Sequence, residues 1–289
     1  MVQAVFRDNK GRSIELITDA RCIVGEGPIW DDRTGCLLMT DIQGKRMRRI
    51  HWDSLSIEET VLPQQTGFFL LTESGKILGG AEDGVYIVGT DGTFTRFSKP
   101  FPLKGQRFND GKAGPDGRAY LGTFSRDFTA AFYRMETDGS LTELFDKVGN
   151  SNGLDWDTEK GVMYYNDTPT GRTDCFDFSS GELKKRSEVF RYIGGNPDGM
   201  TIDSNGNLWT AVWGSGTVVC VDPTVGKIID KVDLPVSQPS CCAFAGEDMD
   251  TLVITSAAHG IQLKNEPYAG SVFAVSVGVK GNKPYRLDV

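Results

Sequence analysis

Gly25-Glu26-Gly27-Pro28-Ile29-Trp30-Asp31 is the first of three segments in which an oxygen-bearing side chain precedes a glycine and an Asp follows five residues later. The pattern returns as Asn152-Gly153-Leu154-Asp155-Trp156-Asp157 and as Asp198-Gly199-Met200-Thr201-Ile202-Asp203. If these segments are repeats around a common axis, the side chains of Glu26, Asn152 and Asp198 meet. Two carboxylates and an amide suit a hard divalent cation.

A second, longer repeat surrounds these segments. Its unit is a polar turn that ends in Gly or an equivalent residue, followed by an apolar strand that ends in small or hydroxylated residues, as in Asp116-Gly117-Arg118-Ala119-Tyr120-Leu121-Gly122-Thr123. Successive copies begin 41 to 46 residues apart, at Asp31, Glu73, Asp116, Asp157, Asp203 and Glu247. Repeats of roughly 40 to 50 residues built from strands and turns indicate a β-propeller with four strands per blade.

Six copies predict an all-β fold, a six-bladed β-propeller with four antiparallel strands per blade. The 35 glycines and the many Asp-Gly, Asn-Gly and Ser-Gly turns favour tight hairpins, and no long helical periodicity interrupts them. We expect an N-terminal strand at 13–17 to close the ring beside a C-terminal strand at 270–275. A chain of 289 residues with 39% hydrophobic content is expected to form one domain, 1–289.

The innermost strand of each propeller blade borders the central channel, so Glu26, Asn152 and Asp198 are predicted to begin three such strands at one mouth. The alternative is that each residue only caps a turn, a position that Asn and Asp favour. Three matched positions, one of them a Glu, favour the metal. In the third blade either Asn109 or Asp110 reaches the channel, and Arg107 is suited to a substrate oxygen or carboxylate, although a salt bridge between blades is its alternative.

Composition restricts the partners. The formal net charge of −8 disfavours binding to a nucleic-acid phosphate backbone, and the basic run at 45–49 is interpreted as a solvated strand face rather than a nucleic-acid patch.

The six cysteines form no C-x-x-C pair and are predicted to be reduced, buried thiols. Segment 1–8 has no apolar run typical of a secretory signal, and no stretch is long enough to span a membrane. We therefore expect a cytoplasmic protein, monomeric or weakly homo-oligomeric, with no nucleic-acid or membrane partner.

Other catalytic chemistries find little support in the sequence. Only two histidines are present, His51 and His259, and neither has the spacing of a zinc site or a partner that suggests a Ser-His-Asp triad. Glycine-containing turns lead into strands rather than helices, so no nucleotide-binding loop is predicted. The candidate site at the channel mouth remains the favoured location for chemistry.

At these residues the sequence resembles the regucalcin (senescence marker protein), gluconolactonase and luciferin-regenerating enzyme family. The resemblance spans nearly the whole chain in order and rests on Gly25-Glu26-Gly27-Pro28, Arg107-Phe108-Asn109-Asp110-Gly111-Lys112, Gly122-Thr123, Ser151-Asn152-Gly153-Leu154, Pro197-Asp198-Gly199-Met200 and Gly278-Val279-Lys280-Gly281. It implies a six-bladed propeller that holds one divalent cation at the channel mouth and hydrolyses sugar lactones.

The resemblance also implies individual roles. Glu26, Asn152 and Asp198 match the metal ligands of the family, and Asp198 matches its general base. Arg107 and Asn109 match substrate contacts, with Arg107 also expected to stabilise the oxyanion. Asp127 matches the acidic substrate residue by spacing, although Phe124 stands where relatives carry Met and the segment 125–131 is shorter than in relatives.

The sequence leaves the metal and the reaction partly open. The cation is Ca²⁺, Zn²⁺, Mg²⁺ or Mn²⁺, since carboxylate and amide oxygens accept each of them. A non-catalytic calcium-binding or interaction propeller is one alternative, because a fold does not dictate function. Promiscuous hydrolysis of phosphotriesters or other esters at the same site is another.

Overall fold

The computed structural model describes residues 4–289. Residues 1–3, the start of the segment 1–8 in which no secretory signal is expected, lie outside the described residues. The described chain forms six antiparallel sheets, which confirms the six-bladed propeller. Its one helical element is a single 3₁₀ turn at Thr168–Thr170, so the part of the chain described here contains no helix of the length and apolarity that a membrane crossing requires.

Twenty-five strands build the six blades. The chain begins with β1 (Ala4–Arg7) and β2 (Ser13–Thr18). The first three blades are then β3 (Gly25–Asp31), β4 (Cys36–Asp41), β5 (Arg46–His51) and β6 (Ile57–Val61); β7 (Phe68–Leu71), β8 (Ile77–Gly80), β9 (Val85–Val88) and β10 (Phe94–Arg96); and β11 (Arg107–Ala113), β12 (Ala119–Phe124), β13 (Ala130–Met135) and β14 (Leu141–Val148).

The remaining strands complete the ring. They are β15 (Ser151–Asp157), β16 (Val162–Asp167), β17 (Arg172–Asp177) and β18 (Lys184–Arg191); β19 (Asn196–Ile202), β20 (Leu208–Trp213), β21 (Thr217–Asp222) and β22 (Lys227–Asp233); and β23 (Pro239–Ala245), β24 (Thr251–Ser256) and β25 (Val272–Ser276). The apolar part of each repeated unit is the second strand of its blade, one of β4, β8, β12, β16, β20 and β24.

The two ends of the chain close the ring in the sixth blade. Strand β2 pairs antiparallel with β25, as predicted for the N-terminal segment. The four predicted strands are present in every blade, and in the sixth blade β1 adds to β2 as a fifth strand. Strand β1 covers the edge that β2 would otherwise expose.

Hydrophobic side chains fill the spaces between neighbouring blades. Five buried clusters bridge the ring: one joins blades five, six and one, and the others join blades one and two, two and three, three and four, and four and five. Adjacent blades therefore stabilise each other, and the orientation of each inner strand depends on both of its neighbours.

The C-terminal tail, residues 280–289, lies across the channel end that is opposite the start of the inner strands. The Gly281 amide donates to Met249 O in blade six (2.8 Å), and Arg286 Nη2 donates to Asp31 Oδ1 in blade one (2.7 Å). Leu287 is 1% exposed and packs in the cluster between blades two and three. The tail thus fastens several blades together at that end.

Two predictions about individual residues are refined by the fold. All six cysteines are free and five are buried, whereas Cys175 is half-buried. In the basic run, Arg46 pairs with Glu59 and Arg49 with Glu58, as a strand face supplied with counter-ions. The expectation of a solvated face is wrong for Arg48, which is buried because its side chain turns inward onto Cys22 while still pairing with Glu59.

Replacing Leu287 with Ala is expected to lower the free energy of unfolding by about 2 to 5 kcal/mol, since it leaves a cavity in a buried cluster. Urea unfolding followed by tryptophan fluorescence measures the change. Leu263, which is 37% exposed, is the matched control, and its replacement by Ala is expected to change stability by less than about 0.5 kcal/mol. Equal effects at the two positions would show that the tail does not fasten the blades.

Candidate metal and substrate site

Among residues 4–289, a β-bulge lies near the start of five inner strands. The pairing of the inner strand with the second strand shifts register at 26–29 in blade one, 108–111 in blade three, 151–154 in blade four, 197–200 in blade five and 239–241 in blade six. A bulge bends its strand and redirects a side chain that regular alternation would place elsewhere. The predicted ligands lie at or directly beside these bulges.

The glycines in the bulges are required by the close approach of neighbouring blades. A Cβ atom at Gly153 would lie 2.5 Å from Met200 Cβ in the next blade, and one at Gly199 would overlap Cys241 Sγ in the blade after that. Any other residue would push the inner strands apart. The pattern of an oxygen-bearing residue before a glycine therefore has a steric cause. The glycine permits the close approach of the neighbouring strand, and the preceding side chain reaches the channel mouth.

The three predicted metal ligands are buried around this mouth. Glu26 is 6% exposed, Asn152 is 2% exposed and Asp198 is 7% exposed. A hydrogen bond within blade four holds Asn152 in place, and one between blades four and five holds Asp198. Asn152 Nδ2 donates to Thr168 Oγ1 (2.7 Å), and Asn166 Nδ2 donates to the Asp198 carbonyl oxygen (2.9 Å).

Arg107 and Asn109 form a connected pair in the third blade. Arg107 Nη1 donates to Asn109 Oδ1 (2.7 Å), and Asn109 Nδ2 donates to the Ser151 carbonyl oxygen (2.8 Å) and toward Asn152 Oδ1 (3.4 Å). Among the ion pairs of residues 4–289, none includes Arg107, so the alternative of a salt bridge between blades is not observed. The guanidinium therefore keeps donors for a bound molecule.

Burial and mutual repulsion dominate the electrostatics. Burial raises the pKa of Glu26 to about 8, with repulsion from Asp110 adding to the shift and attraction to Arg107 opposing it. Burial and repulsion from Glu26 and Asp110 raise the pKa of Asp198 well above its usual value. Burial also lowers the pKa of Arg107 to about 10 despite attraction to Glu26 and Asp198, so Arg107 stays cationic at neutral pH.

The channel carries an excess of negative charge. Four carboxylates belong to it, those of Glu26, Asp110, Asp155 and Asp198, whereas Arg107 and Lys112 supply two positive charges. When all six groups are ionised the sum is −2. One divalent cation would neutralise this charge and remove the repulsion between the buried carboxylates.

The donor set fits a divalent cation, with Glu26, Asn152 and Asp198 as the residues that would hold it. No group of three or more His, Cys, Asp and Glu side chains within residues 4–289 is arranged to bind a metal by itself. The predicted set has only two such side chains and completes them with an amide. Hard oxygen ligands of this kind suit Ca²⁺, Mg²⁺ and Mn²⁺, and carboxylates also bind Zn²⁺.

Asp127 is not brought into this group. It lies exposed on the loop at 125–129, where its Oδ1 accepts a hydrogen bond from Thr129 Oγ1 (2.7 Å). Within the described chain it forms no hydrogen bond with Arg107 or Asn109. Its role as a substrate contact stays a prediction that rests on spacing alone.

Sequence reasoning treated Asp110 only as an alternative to Asn109 and did not use Lys112 or Asp155. Both Asn109 and Asp110 are buried, so the third blade contributes two side chains to the channel. Burial raises the pKa of Asp110 to about 6, and attraction to Lys112 limits the shift. The sequence feature that could have identified Asp110 as a channel residue is its position directly before a glycine, which it shares with Glu26 and Asp198. Lys112 has no comparable sequence feature.

The two histidines lie outside the site. His259 is exposed and bonds to Gln43 Oε1 (3.1 Å). His51 lies between Cys36 Sγ (3.4 Å) and Glu58 Oε1 (2.9 Å), an arrangement that resembles a thiol triad. The Cys36 side chain is fully buried, however, and a nucleophilic thiol requires access to its substrate.

Comparison with known proteins identifies the family. The model of the SMP-30/Gluconolactonase/LRE-like region matches residues 24–258, which include every predicted site residue. The chain belongs to this family. The inner-strand residues Glu26, Asn152 and Asp198 thus lie within the region that the family shares.

Individual members of the family align over nearly the whole chain. A Bacillus subtilis protein named as a sugar lactone lactonase, YvrE, is 35% identical over 281 residues, which cover 93% of this chain and 96% of that protein. Regucalcin of Danio rerio is 35% identical, with 94% and 97% covered. The crystal structure of a calcium-binding protein, regucalcin, from Agrobacterium tumefaciens superposes with a TM-score of 0.88 at 26% identity over 95% of this chain and 97% of that one.

The raised pKa of Glu26 predicts a pH-dependent stability for chelator-treated protein. Because the folded pKa of about 8 exceeds the ordinary value of 4.5, the folded state binds the proton more tightly. This stabilisation is complete below the unfolded pKa and is lost as the pH rises through the folded pKa. The free energy of unfolding in urea should therefore fall between about pH 5 and pH 8, and Glu26→Gln should flatten the fall.

The exposed Glu247 provides the control, since Glu247→Gln should leave the slope unchanged. A divalent cation should stabilise the wild-type protein more at the upper end of this range, because its binding requires ionised carboxylates. Identical slopes for wild type and Glu26→Gln would refute the electrostatic description of the site.

Proposed function

We propose that this protein is a divalent-metal-dependent hydrolase that opens sugar lactones at the channel mouth. The observation that carries the proposal is the convergence of two buried carboxylates and an amide from three blades beside an arginine that forms no ion pair within residues 4–289. A cation and a fixed guanidinium are two groups that together bind and polarise an ester carbonyl.

The family supports this chemistry. The name of the Bacillus subtilis relative is that of a sugar lactone lactonase, and 96% of its length aligns with this chain. The structural neighbour from Agrobacterium tumefaciens is described as calcium-binding, in keeping with a cation held by oxygen ligands. A small-molecule lactone is the partner that this combination favours.

Glu26 and Asn152 would hold the cation together with Asp198. Bound there, a divalent cation supplies Lewis-acid polarisation of a carbonyl oxygen. The residues themselves exclude bulk water from three sides, because each is at least nine-tenths buried. Charges in such a site act more strongly than they would in water.

Asp198 is the proposed general base. Its carboxylate takes a proton from the water whose oxygen bonds to the lactone carbonyl carbon, and the ring C–O bond then breaks as the proton passes to the departing alkoxide oxygen. Burial and the nearby carboxylates raise the pKa of Asp198 in the metal-free site, and a bound cation would favour the ionised form that a general base requires. Lactones are reactive esters, and this assistance is sufficient for their hydrolysis.

Arg107 is proposed to orient the lactone and to stabilise the oxygen that becomes negative. Its Nη1 is fixed by Asn109 Oδ1 and by the Phe108 carbonyl oxygen (2.9 Å), and its guanidinium lies 5.3 Å from the centre of the Phe124 ring. A guanidinium held in this way loses little freedom when it binds a ligand. Asn109 thus contributes by positioning Arg107 as well as by offering its own amide.

Calcium binding without catalysis is the second candidate function. It is favoured by the calcium-binding description of the Agrobacterium tumefaciens neighbour. It predicts a tightly bound cation and no lactone turnover, so the two functions separate in one preparation that is assayed for both.

Asp198→Asn keeps the shape of the side chain and removes its charge and its basicity. We expect it to lower kcat/KM for glucono-lactone at least about 10²-fold, the contribution typical of general-base catalysis. Chelation of the wild-type protein should abolish turnover, and return of Ca²⁺, Mg²⁺, Mn²⁺ or Zn²⁺ should restore it to an extent that identifies the preferred metal. A pH-stat assay on five- and six-membered sugar lactones measures both effects.

Asp250 is exposed on the turn before β24, and Asp250→Asn is the control that should retain wild-type activity. Near-native turnover by Asp198→Asn with metal present would remove Asp198 from the mechanism. Full turnover in excess chelator would overturn metal dependence altogether.

A further inference from the structure

The Lys112 ammonium is bound inside the central channel, below the candidate site. Its Nζ donates to Asp155 Oδ2 (2.6 Å) and to the Met200 carbonyl oxygen (2.9 Å). The channel around it contains a cavity of about 70 Å³ that Asp110, Trp156 and Tyr285 help to line. The Lys112 ammonium, at the end of a flexible side chain, is therefore held among oxygen atoms in the interior of the ring.

This single ammonium connects the inner strands of three blades. Lys112 belongs to β11, Asp155 to β15 and Met200 to β19. The Asp155 carboxylate extends the link, because its Oδ2 also accepts the Ile202 amide of β19 (3.2 Å) and its Oδ1 accepts the Trp156 amide (2.9 Å). Blades three, four and five are thus joined at one point on the channel axis.

The same three strands also carry Asn109, Asn152 and Asp198 of the candidate site. Lys112 follows Asn109 by three residues, Asp155 follows Asn152 by three, and Met200 follows Asp198 by two. At roughly 3.3 Å per residue along a strand, the link lies about 7 to 10 Å below the side chains that would bind metal and substrate. A change in the spacing of the strands at this point moves those side chains relative to one another.

Stability alone does not account for the partly buried ion pair of Lys112 and Asp155, whose side chains are 31% and 13% exposed. The desolvation of two charges offsets much of their attraction, and well-packed apolar residues often serve equally well. What an ammonium adds is directionality, since its three N–H groups fix the distances to several oxygens at once. The bulges directly above interrupt the regular pairing of the same strands and leave their spacing less constrained.

We propose that Lys112 is the positioning residue of the site: its ammonium sets the spacing of β11, β15 and β19 and thereby the distances between Asn109, Asn152 and Asp198. The inference rests on the proposed function, because it concerns how well these residues bind a divalent cation and a lactone. Lys112 touches neither of them and acts through the strands.

Chemical rescue of a truncated side chain tests the role. Lys112→Ala keeps Cβ and removes three carbons and the nitrogen, which n-propylammonium restores in shape and charge. Lys112→Met fills most of the volume without a charge and retains a packed channel if the Ala variant unfolds. The measurements are the Mn²⁺ dissociation constant by calorimetry and kcat and KM for glucono-lactone, each with and without n-propylammonium.

We expect both variants to weaken Mn²⁺ binding by about 10- to 100-fold, the effect typical of residues that orient metal ligands. n-Propylammonium should recover most of the lost affinity and turnover in Lys112→Ala. It should not help Lys112→Met, whose channel is filled, and n-propanol should help neither because it carries no charge. Lys160→Ala is the control: Lys160 pairs with Asp157 at the surface (2.8 Å) and should bind Mn²⁺ like wild type.

The outcomes separate the two proposals. A wild-type protein that neither binds a divalent cation nor opens lactones refutes the proposed function. An active wild type with folded Lys112 variants that bind Mn²⁺ within about twofold of it refutes the positioning role. Weak binding that n-propylammonium does not restore, or loss of folding in both variants, assigns Lys112 to the stability of the ring and overturns the proposal as well.

Discussion

The close approach of neighbouring inner strands at the channel mouth is the constraint on which the site depends. Gly153 and Gly199 permit it, since a Cβ atom at either position would overlap the next blade. The bulges at the same points turn the preceding side chains toward the axis. A ring of six similar blades thereby converts residues that are far apart in the chain into neighbours.

That convergence creates an electrostatic problem inside the protein. Burial raises the pKa of Glu26, Asp110 and Asp198; repulsion from Asp110 adds to the shift of Glu26, and repulsion from Glu26 and Asp110 adds to that of Asp198. Arg107 and Lys112 compensate only part of the negative charge. In the proposed function a divalent cation would neutralise this charge and would polarise a carbonyl oxygen beside Arg107. Fold, electrostatics and proposed activity are therefore linked: the protonated site is stable without a cation, whereas ionisation of its carboxylates would favour binding of one.

The predictability of each feature from sequence follows from the range of the interactions that produce it. The spacing of the six turns and the register of Glu26, Asn152 and Asp198 are local patterns, and they led to the blade number and to the burial of all three residues at strand starts. The fifth strand of the last blade depends on pairing between β1 and β2, which a repeat count does not include. The inward turn of Arg48 depends on a neighbour in another strand.

The link through Lys112 shows the same limit at the site itself. It joins a side chain, a carboxylate 43 residues away and a carbonyl oxygen 88 residues away, and no spacing rule relates them. Asp127 was assigned by a count along the chain, and its loop directs its carboxylate to Thr129, so its role as a substrate contact stays a prediction. Strand residues are constrained by both neighbouring blades, whereas a loop residue is not, so its position cannot be inferred from spacing.

The central claim is that one cation binds between three blades at the channel mouth, and an anomalous-difference map of crystals soaked in Mn²⁺ tests it most directly. The account predicts one strong peak within about 2.0 to 2.6 Å of carboxylate or amide oxygens of Glu26, Asn152 and Asp198. A peak elsewhere, or none at this mouth in protein that still opens lactones, would contradict it.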